Sequence, residues 1–313
     1  MIPSKQDILD AYQRVKPFVH PTPVLTSNFL NELSGASLFF KCENFQKMGA
    51  FKMRGAVNAI QCLSEGEKQK GVVTHSSGNF GQAVALAAKT LGIKAYVVMP
   101  ENAPSVKKEA VEGYGAEVIL CESTIQAREA SSEKIIKEKG AAFLHPSNNL
   151  DVILGNATAT LELLVDYPDL DVVITPVGGG GLLAGTALSV HYFGKNCNTL
   201  AGEPIQVNDA YRSLQSGRIE VNETSETIAD GLRTHLGNIN FPIIQKLVSE
   251  IICVEENEII NAMKLIWERM KMVVEPSSAV ALAAILKQKE TFRNKKIGII
   301  ISGGNVDLKN LPF

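Results

Sequence analysis

Cysteine is scarce in this chain, and the few cysteines present form no pattern. The 313 residues include five, at positions 42, 62, 121, 197 and 253, with no C-x-x-C pair. An odd number of scattered cysteines indicates neither a disulfide framework nor a zinc site. The sequence therefore favours a reducing compartment, and we expect a cytoplasmic protein.

An excess of charge of one sign is also lacking. The formal net charge is -2, from 31 basic and 33 acidic residues, and no block of basic residues occurs. This balance gives no electrostatic footprint for nucleic acid or for an anionic membrane. With 45% hydrophobic and 20% charged residues, the composition is that of an ordinary globular protein. A small molecule is the expected partner.

Long hydrophobic runs are nearly absent. The N-terminal segment "MIPSKQDILDAYQRV" lacks the apolar core of a secretory signal. One uncharged run, residues 172–190, is long enough for a membrane span, but it contains Pro176 and four consecutive glycines. We expect a buried strand, a glycine turn and a buried helix there instead.

Short apolar runs alternate with helix-length segments along the chain, which predicts an α/β fold with mostly parallel strands. Helical spacing is found over residues 81–91, 123–139, 181–191 and 256–271. No linker or repeat divides the sequence. Any second domain must therefore be inserted in the first, and we predict a small domain over 71–147 within a larger one formed by 1–64 and 148–313.

Three turns rich in small residues follow predicted strands, at residues 76–82, 178–181 and 302–305. The glycines at 178–181 allow backbone N–H groups to approach an anion closely, which suits a phosphate group. Gly179, Gly181 and Ala184 also satisfy G-x-G-x-x-A, with Glu203 about twenty residues later, as in dinucleotide-binding proteins. A purely structural turn is the third alternative.

The stretch "FQKMGAFKMRGA" places Lys52 between an aromatic ring and a Met-Arg-Gly run. Most lysines are solvated surface charges, because burying an ammonium group is costly. The setting of Lys52 therefore indicates chemistry only if other parts of the chain support it.

Six segments supply that support: "FQKMGAFKMRGA", "THSSGNFGQAVALAAK", "PVGGGGLLAG", "TIADGLRT", "VEPSSAVALAA" and "ISGGNVDL". In this order they resemble the serine racemase and serine/threonine dehydratase family of fold-type II pyridoxal-phosphate enzymes, over nearly the whole chain. The resemblance implies a tryptophan synthase β-like fold of two doubly wound parallel-sheet domains, pyridoxal 5'-phosphate as cofactor, and a homodimer. It disfavours the dinucleotide alternative.

By this resemblance, Lys52 is the lysine that forms an imine with the cofactor aldehyde. An apolar pocket behind Phe51 would lower the pKa of its amine from about 10.4, which favours the neutral, nucleophilic form. Asn79 would hold the 3'-oxygen of the cofactor, and Ser302 would face the pyridine nitrogen. The complete set of implied cofactor residues is Phe51, Lys52, Asn79, Gly178, Gly179, Gly180, Gly181, Leu182 and Ser302.

The hydroxyl of Ser302 is uncharged, whereas a carboxylate at this place keeps the ring nitrogen protonated in many other pyridoxal enzymes. A neutral partner makes the ring a weaker electron sink. We therefore expect prompt loss of a β-leaving group, that is, elimination of water from a β-hydroxy amino acid.

The substrate carboxylate is expected at Ser76, Ser77 and Asn79, at the start of a helix. The resemblance also implies substrate contacts for Arg128 and Asp230, although an exposed helix and a structural loop explain these two residues equally well. Ser77 resembles the residue that moves a proton on the second face of Cα in racemases, with helix capping as its alternative role.

A divalent-cation site is implied by the segment "GEPIQVND". The matching positions of the family are Glu203, the backbone carbonyl of Val207 and Asp209. Oxygen ligands suit Mg²⁺ or Mn²⁺, with Ca²⁺ as an alternative ion. The other interpretation is that Glu203 ends a strand and Asp209 caps the next helix.

Three parts of the sequence depart from the family pattern. Phe80 stands where many members have histidine, so the substrate preference of this chain can differ. Met48 replaces a small polar residue near a nucleotide effector, so the resemblance leaves regulation by ATP open. The segment "GNAT" at residues 155–158 replaces G-Q-G-T, with no consequence that we can derive.

The expected activity is dehydration of serine, threonine or another β-hydroxy amino acid such as 3-hydroxyaspartate, giving a 2-oxo acid and ammonia, with serine racemisation beside it. The alternatives are a predominant racemase, or a protein that binds the cofactor without turnover. Within the fold, cysteine-synthase-like β-replacement and threonine synthesis are alternatives, but the segments "ADGLRT" and "WERMKMVVEPSSA" favour the racemase/dehydratase branch. No membrane contact is expected.

Overall fold

The computed structural model describes residues 2–76, 78–103 and 105–313, without the side chains of Val106 and Ile125. The strands are β1 (Val24–Leu25), β2 (Ser37–Cys42), β3 (Val72–His75), β4 (Ala95–Pro100), β5 (Glu117–Cys121), β6 (Ala142–Phe143), β7 (Val172–Pro176), β8 (Asn198–Pro204), β9 (Val248–Val254) and β10 (Lys296–Ile301). The helices are α1 (Lys5–Val15), α2 (Asn28–Ser34), α3 (Lys52–Cys62), α4 (Glu65–Lys70), α5 (Asn79–Leu91), α6 (Ser105–Gly113), α7 (Ile125–Lys139), α8 (Leu150–Asp166), α9 (Gly181–Phe193), α10 (Asp209–Ser216), α11 (Phe241–Leu247), α12 (Glu256–Leu265) and α13 (Pro276–Lys287).

The described strands form two sheets. A six-stranded sheet has the order β1-β2-β10-β7-β8-β9, and a four-stranded sheet has the order β5-β4-β3-β6. Neighbouring strands are parallel except β1 and β2. The predicted α/β fold with mostly parallel strands is therefore confirmed.

Helices cover both faces of each sheet, which explains why the strands are apolar on both sides. In the larger sheet, α13 packs against β7, β8 and β10, while α9 packs against β7 and β8. In the smaller sheet, α5 contacts β3 and β4, and α7 contacts β3, β4 and β5. Helices α3 and α5 contact each other and so connect the two layered units.

All strands of the smaller sheet fall between residues 71 and 147, the segment predicted as an inserted domain. The division into domains at 1–64, 71–147 and 148–313 stays a prediction. The uncharged run 172–190 consists of β7, the glycine turn and α9, all buried. Among the described residues, no helix is both long and apolar enough to cross a bilayer.

The predicted helix over residues 256–271 differs in one respect. The α-helix ends at Leu265, and residues 266–270 form a wider π-helical turn that closes at Lys271, a non-glycine residue with φ 56°. The indole Nε1 of Trp267 donates to the carbonyl oxygen of Val274 at 3.0 Å. This bond ties the turn to the segment that leads into α13.

Candidate active site

Lys52 begins α3, directly after a bend that Ser302 helps to hold. The N–H of Phe51 donates to the carbonyl oxygen of Ser302 at 3.0 Å, so the loops after β2 and β10 meet at this point. The Nζ atom of Lys52 donates to the carbonyl oxygen of Pro146 at 2.9 Å. It also lies 4.9 Å from the ring centre of Phe51 and 5.6 Å from that of Phe80.

These apolar surroundings change the proton affinity of the amine. Burial lowers the pKa of Lys52 to about 8, and the negative charge of Glu275 opposes part of this shift. A substantial share of neutral amine is therefore present near pH 8, as a nucleophile or proton acceptor requires.

A buried ionic network around Arg54, two residues after Lys52, fixes the start of α3 and with it the position of Lys52. The guanidinium of Arg54, in the first turn of α3, pairs with Glu43 at 2.7 Å and with Glu162 at 2.8 Å. Glu162 also pairs with Lys41 of β2 at 2.7 Å. Because the side chain of Arg54 is fully buried, its two carboxylate partners anchor the start of α3 to the segment after β2 and to α8.

The glycine turn 178–181 lies between two other loops. A Cβ on Gly179 would lie 2.5 Å from Ser147 Oγ, and a Cβ on Gly178 would lie 2.6 Å from the Cα of Leu232. Gly180 has φ 80°, which glycine adopts without strain. Glycine is required here because neighbouring chain segments approach the turn closely.

The same turn offers unused hydrogen-bond donors. The N–H groups of residues 178–181 donate to no protein group in the described ranges, although these residues are buried at the start of α9. Such N–H groups, together with the helix dipole, favour an anion. The turn thus fits the phosphate group of pyridoxal phosphate, and Leu182 in the first helical turn is buried beside it.

His145, which sequence reasoning missed, shapes the segment between Lys52 and the glycine turn. Its Nδ1 accepts hydrogen bonds from the backbone N–H groups of Ser147 at 3.2 Å and Asn148 at 2.8 Å. Asn240 completes the arrangement, because its Nδ2 donates to the carbonyl oxygens of Ser147 and Gly179.

The environment of His145 keeps its ring neutral. Burial lowers the pKa of this histidine to about 4, and the charges of His75 and Lys52 act in the same direction. The neutral ring is the form that can accept at Nδ1, so the hydrogen bonds and the lowered pKa agree.

Asn79 and Ser302 flank the same region. Asn79 begins α5, and its Nδ2 donates to both oxygens of Glu275 at 3.0 and 3.1 Å. The hydroxyl of Ser302 lies 3.0 Å from that of Ser278, which donates to the carbonyl oxygen of Gly303 at 2.7 Å. The group beside Ser302 Oγ is thus another hydroxyl rather than a carboxylate.

The predicted substrate residues are brought together only in part. Ser76 follows β3, and its Oγ accepts from the N–H of Gly78 at 3.3 Å; Ser77 lies outside the described residues. Asp230 starts a short turn and pairs at 3.0 Å with Lys107 of α6, a contact that the sequence did not predict. Burial raises the pKa of Glu275, and the charge of Asp230 adds to that rise.

Arg128 is placed on α7, against the smaller sheet. Its charge contributes to lowering the pKa of His75 at the end of β3, after burial, which has the larger effect. Its Nε atom is buried and has no hydrogen-bond partner among the described residues. The structure therefore shows Arg128 near the strand that leads into Ser76, with no contact to Lys52.

Glu203 and Asp209 form a separate buried pair. Glu203 accepts hydrogen bonds from the N–H groups of Ala210 and Tyr211, so Glu203, and not Asp209 as in the alternative interpretation, caps α10. Asp209 accepts from Asn222 Nδ2 at 2.6 Å and from the N–H of Leu236 at 3.2 Å.

Burial raises the pKa of both carboxyl groups, and the charge of Asp209 raises that of Glu203 further. A cation between them would relieve this repulsion, and the donors fit a hard ion. The described residues contain no group of three or more His, Cys, Asp or Glu side chains arranged to hold a metal. Any such ion would therefore need the Val207 carbonyl and water as further ligands.

Comparisons with known proteins agree with this geometry. Residues 15–303 match the family described as pyridoxal-phosphate dependent enzyme. A serine racemase from Dictyostelium discoideum is 53% identical over 98% of this chain and 96% of its own length. The crystal structure of that racemase has a TM-score of 0.93 and covers 97% of this chain and 98% of the solved one.

Two further relatives differ in their named activity. A beta-hydroxyaspartate dehydratase from Paracoccus denitrificans is 46% identical over 100% of this chain and 99% of its own. The crystal structure of a threonine deaminase from T.th. is 42% identical, with a TM-score of 0.92 and coverage of 98% of this chain and 99% of that chain. The predicted fold-type II architecture is thus confirmed, and this chain belongs to the pyridoxal-phosphate dependent enzymes.

Proposed function

We propose that this protein is a pyridoxal-phosphate dependent dehydratase, or ammonia-lyase, of serine, threonine or another β-hydroxy amino acid. The observation that carries the proposal is the Lys52 amine, whose pKa is lowered by burial and which lies between the Pro146 carbonyl and two aromatic rings. Serine racemase activity is the second candidate, because relatives such as that of Dictyostelium discoideum carry this name.

Bound pyridoxal phosphate supplies an aldehyde that condenses with amines and a ring that withdraws electrons from Cα of the attached amino acid. In the absence of substrate, the neutral Lys52 amine would hold the cofactor covalently. When substrate is bound, the same amine would take the Cα proton on one face. The proton held by Lys52 would then leave with the β-hydroxyl as water, and tautomerisation and hydrolysis of the released enamine would give the 2-oxo acid and ammonia.

The remaining cofactor contacts follow from the available donors. The unused N–H groups at 178–181 would hold the phosphate, with Leu182 beside them. Asn79 would donate to the 3'-oxygen. The Ser302 hydroxyl, with the Ser278 hydroxyl beside it, would meet the ring nitrogen without enforcing its protonation.

Substrate contacts are assigned to the loops around Lys52. Ser76, Ser77 and Asn79 would bind the carboxylate at the start of α5, where the helix dipole favours an anion. Asp230, held by Lys107, would reach the β-hydroxyl. Arg128, whose buried Nε has no hydrogen-bond partner among the described residues, would be a further substrate contact.

Racemisation needs a second proton carrier, since Lys52 serves one face of Cα only. We assign this role to Ser77. A Ser77→Ala variant should lose formation of D-serine while it keeps part of the elimination activity. Continued D-serine formation in that variant would mean that another group supplies the proton.

A divalent cation, Mg²⁺, Mn²⁺ or Ca²⁺, is proposed at Glu203, the Val207 carbonyl and Asp209. The support is the pair of buried carboxylates, which repel each other. A chelator should lower the melting temperature, and added Mg²⁺ should restore it in the parent protein but not in Asp209→Ala. Equal melting temperatures with chelator and with metal would leave Glu203 with its capping role alone.

A homodimer is also proposed, and sedimentation would test it.

A substrate panel tests the main proposal most directly. Serine, threonine and 3-hydroxyaspartate should be assayed for 2-oxo acid formation, with chiral separation of the remaining amino acid. Release of 2-oxo acid from at least one β-hydroxy amino acid is the expected result. Interconversion of serine enantiomers without release would make racemisation the main activity, and binding of cofactor with no turnover would contradict an enzymatic role.

A further inference from the structure

Glu275 is a buried carboxylate whose position in the chain suggests a helix cap but whose contacts lie elsewhere. It directly precedes Pro276 at the start of α13, and only 4% of the residue is exposed. Its side chain makes no hydrogen bond to the N–H groups of that helix. Capping therefore does not explain why a carboxylate is buried here, which is costly without a compensating partner.

The side-chain partner of Glu275 is Asn79, 196 residues away in the sequence, and the backbone of Asn305 also acts on the carboxylate by a hydrogen bond that lowers its pKa. Both carboxylate oxygens accept from Asn79 Nδ2, at 3.0 and 3.1 Å. The other end of the amide is also occupied, because Asn79 Oδ1 accepts from Asn305 Nδ2 at 2.9 Å. Asn305 is held in turn by the carbonyl oxygen of Met48 at 2.9 Å.

These contacts select one orientation of the Asn79 amide. Turning the amide over would place its oxygen against the Glu275 carboxylate and its nitrogen against the Asn305 nitrogen, and both contacts would be repulsive. In the selected orientation, Nδ2 carries two hydrogens, and one hydrogen shared between the two carboxylate oxygens accounts for both contacts. The second N–H remains for an acceptor in the adjoining pocket.

The carboxylate also acts on Lys52 through its charge. Glu275 raises the pKa of the Lys52 amine against the lowering effect of burial. A close approach to the turn after β10 keeps the carboxylate in place, since a Cβ on Gly303 would lie 3.0 Å from Glu275 Oε1. The N–H of Glu275 donates to the carbonyl oxygen of Gly303 at 3.1 Å.

We propose that Glu275 is a positioning residue for the cofactor: its carboxylate holds Asn79 so that an N–H faces the 3'-oxygen of pyridoxal phosphate. This inference rests on the proposed roles of Asn79 and Lys52. Burial raises the pKa of Glu275 to about 7, while the hydrogen bond from Asn79 opposes that rise. Asp230 and Lys107 are the other charged groups that act on it.

A double-mutant cycle on cofactor affinity tests whether Glu275 acts through Asn79. Apoprotein of the parent, Glu275→Met, Asn79→Ala and the double variant would be titrated with pyridoxal phosphate by equilibrium dialysis. Methionine keeps the length of the side chain and removes the acceptors. The affinity should fall about tenfold in the parent background, as expected for one lost charge-assisted hydrogen bond, and less than about twofold in the Asn79→Ala background. Equal losses in both backgrounds, or no loss in either, would overturn the inference.

The second arm uses Glu275→Gln, which keeps the shape and one acceptor oxygen but removes the charge. The visible absorption of the bound cofactor would be titrated with pH. Its midpoint should move to lower pH by about half a unit or more, because a nearby negative charge has been removed. Glu255→Gln is the matched control, since Glu255 is the N-cap of α12, and it should leave the midpoint unchanged. An unchanged midpoint in Glu275→Gln would refute the role of the charge.

Both readouts are independent of the substrate. If serine, threonine and 3-hydroxyaspartate all proved inactive, the proposed function would fail while cofactor affinity and absorption would still report on Glu275. If the parent enzyme is active but the double-mutant cycle shows no coupling between Glu275 and Asn79, only the inference about Glu275 is contradicted, and the proposed function stands.

Discussion

The segment after β6 should make the stability of this protein depend on pH through one histidine. His145 accepts two backbone hydrogen bonds at Nδ1, and these bonds hold the turn that carries the Pro146 carbonyl and Ser147. The carbonyl receives the Lys52 hydrogen bond, and Ser147 lies against the glycine turn. Protonation at Nδ1 would remove the hydrogen-bond acceptor. It would thereby disturb both the Lys52 contact and the packing of Ser147 against the glycine turn.

The direction of the pH dependence of stability follows from the direction in which the pKa of His145 is shifted. Burial lowers the pKa of His145 from 6.5 to about 4 in the folded protein. Between these values the unfolded chain binds the proton and the folded chain does not, so the folded state loses stability as the pH falls. The contribution of neutral His145 to the stability of the folded state is complete above pH 6.5 and is lost as the pH falls through about 4.

The size of this change in unfolding free energy is set by the pKa shift of His145 and by the solvent exposure of its side chain. The full shift would correspond to about 3 kcal/mol of unfolding free energy. Because the residue is only partly buried, we expect about 2 kcal/mol. Other groups titrate over the same range, so the effect must be measured as a difference between two proteins.

The comparison uses His145→Asn, whose side-chain oxygen can replace Nδ1 as acceptor but does not titrate. Urea unfolding of the apoprotein would be followed by circular dichroism from pH 7.5 to 4.5. The variant should be the less stable protein at pH 7.5, and the gap should shrink by about 2 kcal/mol on acidification. His20→Asn, at an exposed histidine, should follow the parent curve. A gap between parent and His145→Asn that stays constant over this range would refute the reasoning.

Three other changes have expected outcomes. Lys52→Ala should lower turnover by at least about 1,000-fold, and borohydride should fix the cofactor to Lys52 in the parent; mass spectrometry that finds the label on another lysine would contradict the assignment. Gly179→Ala places a Cβ 2.5 Å from Ser147 Oγ, so it should destabilise the protein by about 2 kcal/mol and weaken pyridoxal phosphate binding about tenfold; unchanged melting and affinity would show that the turn can adapt. Arg54→Met removes the cation that pairs with the buried Glu43, while Glu162 keeps Lys41 as a partner, and it should cost about 3–5 kcal/mol in urea unfolding. Arg293→Met, at an exposed ion pair, should cost less than about 1 kcal/mol; similar costs for both would mean that the buried network has adapted.

The sequence by itself was sufficient for features that depend on neighbouring residues. The alternation of apolar runs and helical spacing predicted the parallel α/β fold, because burial on both faces requires apolar strands. The uncharged run 172–190 was correctly divided into strand, turn and helix, since Pro176 and the glycines are incompatible with one continuous helix. The order of the six segments likewise indicated the family, because each segment keeps its residues adjacent in the chain.

Local patterns were less reliable where the winding of a helix changes. The spacing over residues 256–271 predicted one continuous helix, but a π-helical turn follows Leu265. The bond from Trp267 to the Val274 carbonyl involves chain beyond the periodic segment. Apolar spacing alone cannot distinguish an α-helical turn from a π-helical one when both bury the same side chains.

Only the tertiary structure decided which ordinary residues became part of the site. Glu275 belongs to no residue set that the sequence singled out, yet the fold brings it against Asn79 from the other sheet unit. His145 similarly shows no motif, but its burial and the close approach of His75 and Lys52 give it a pKa of about 4. Sequence spacing carries no information on such contacts, because burial and charge depend on segments far apart in the chain that meet only when the two sheets are assembled.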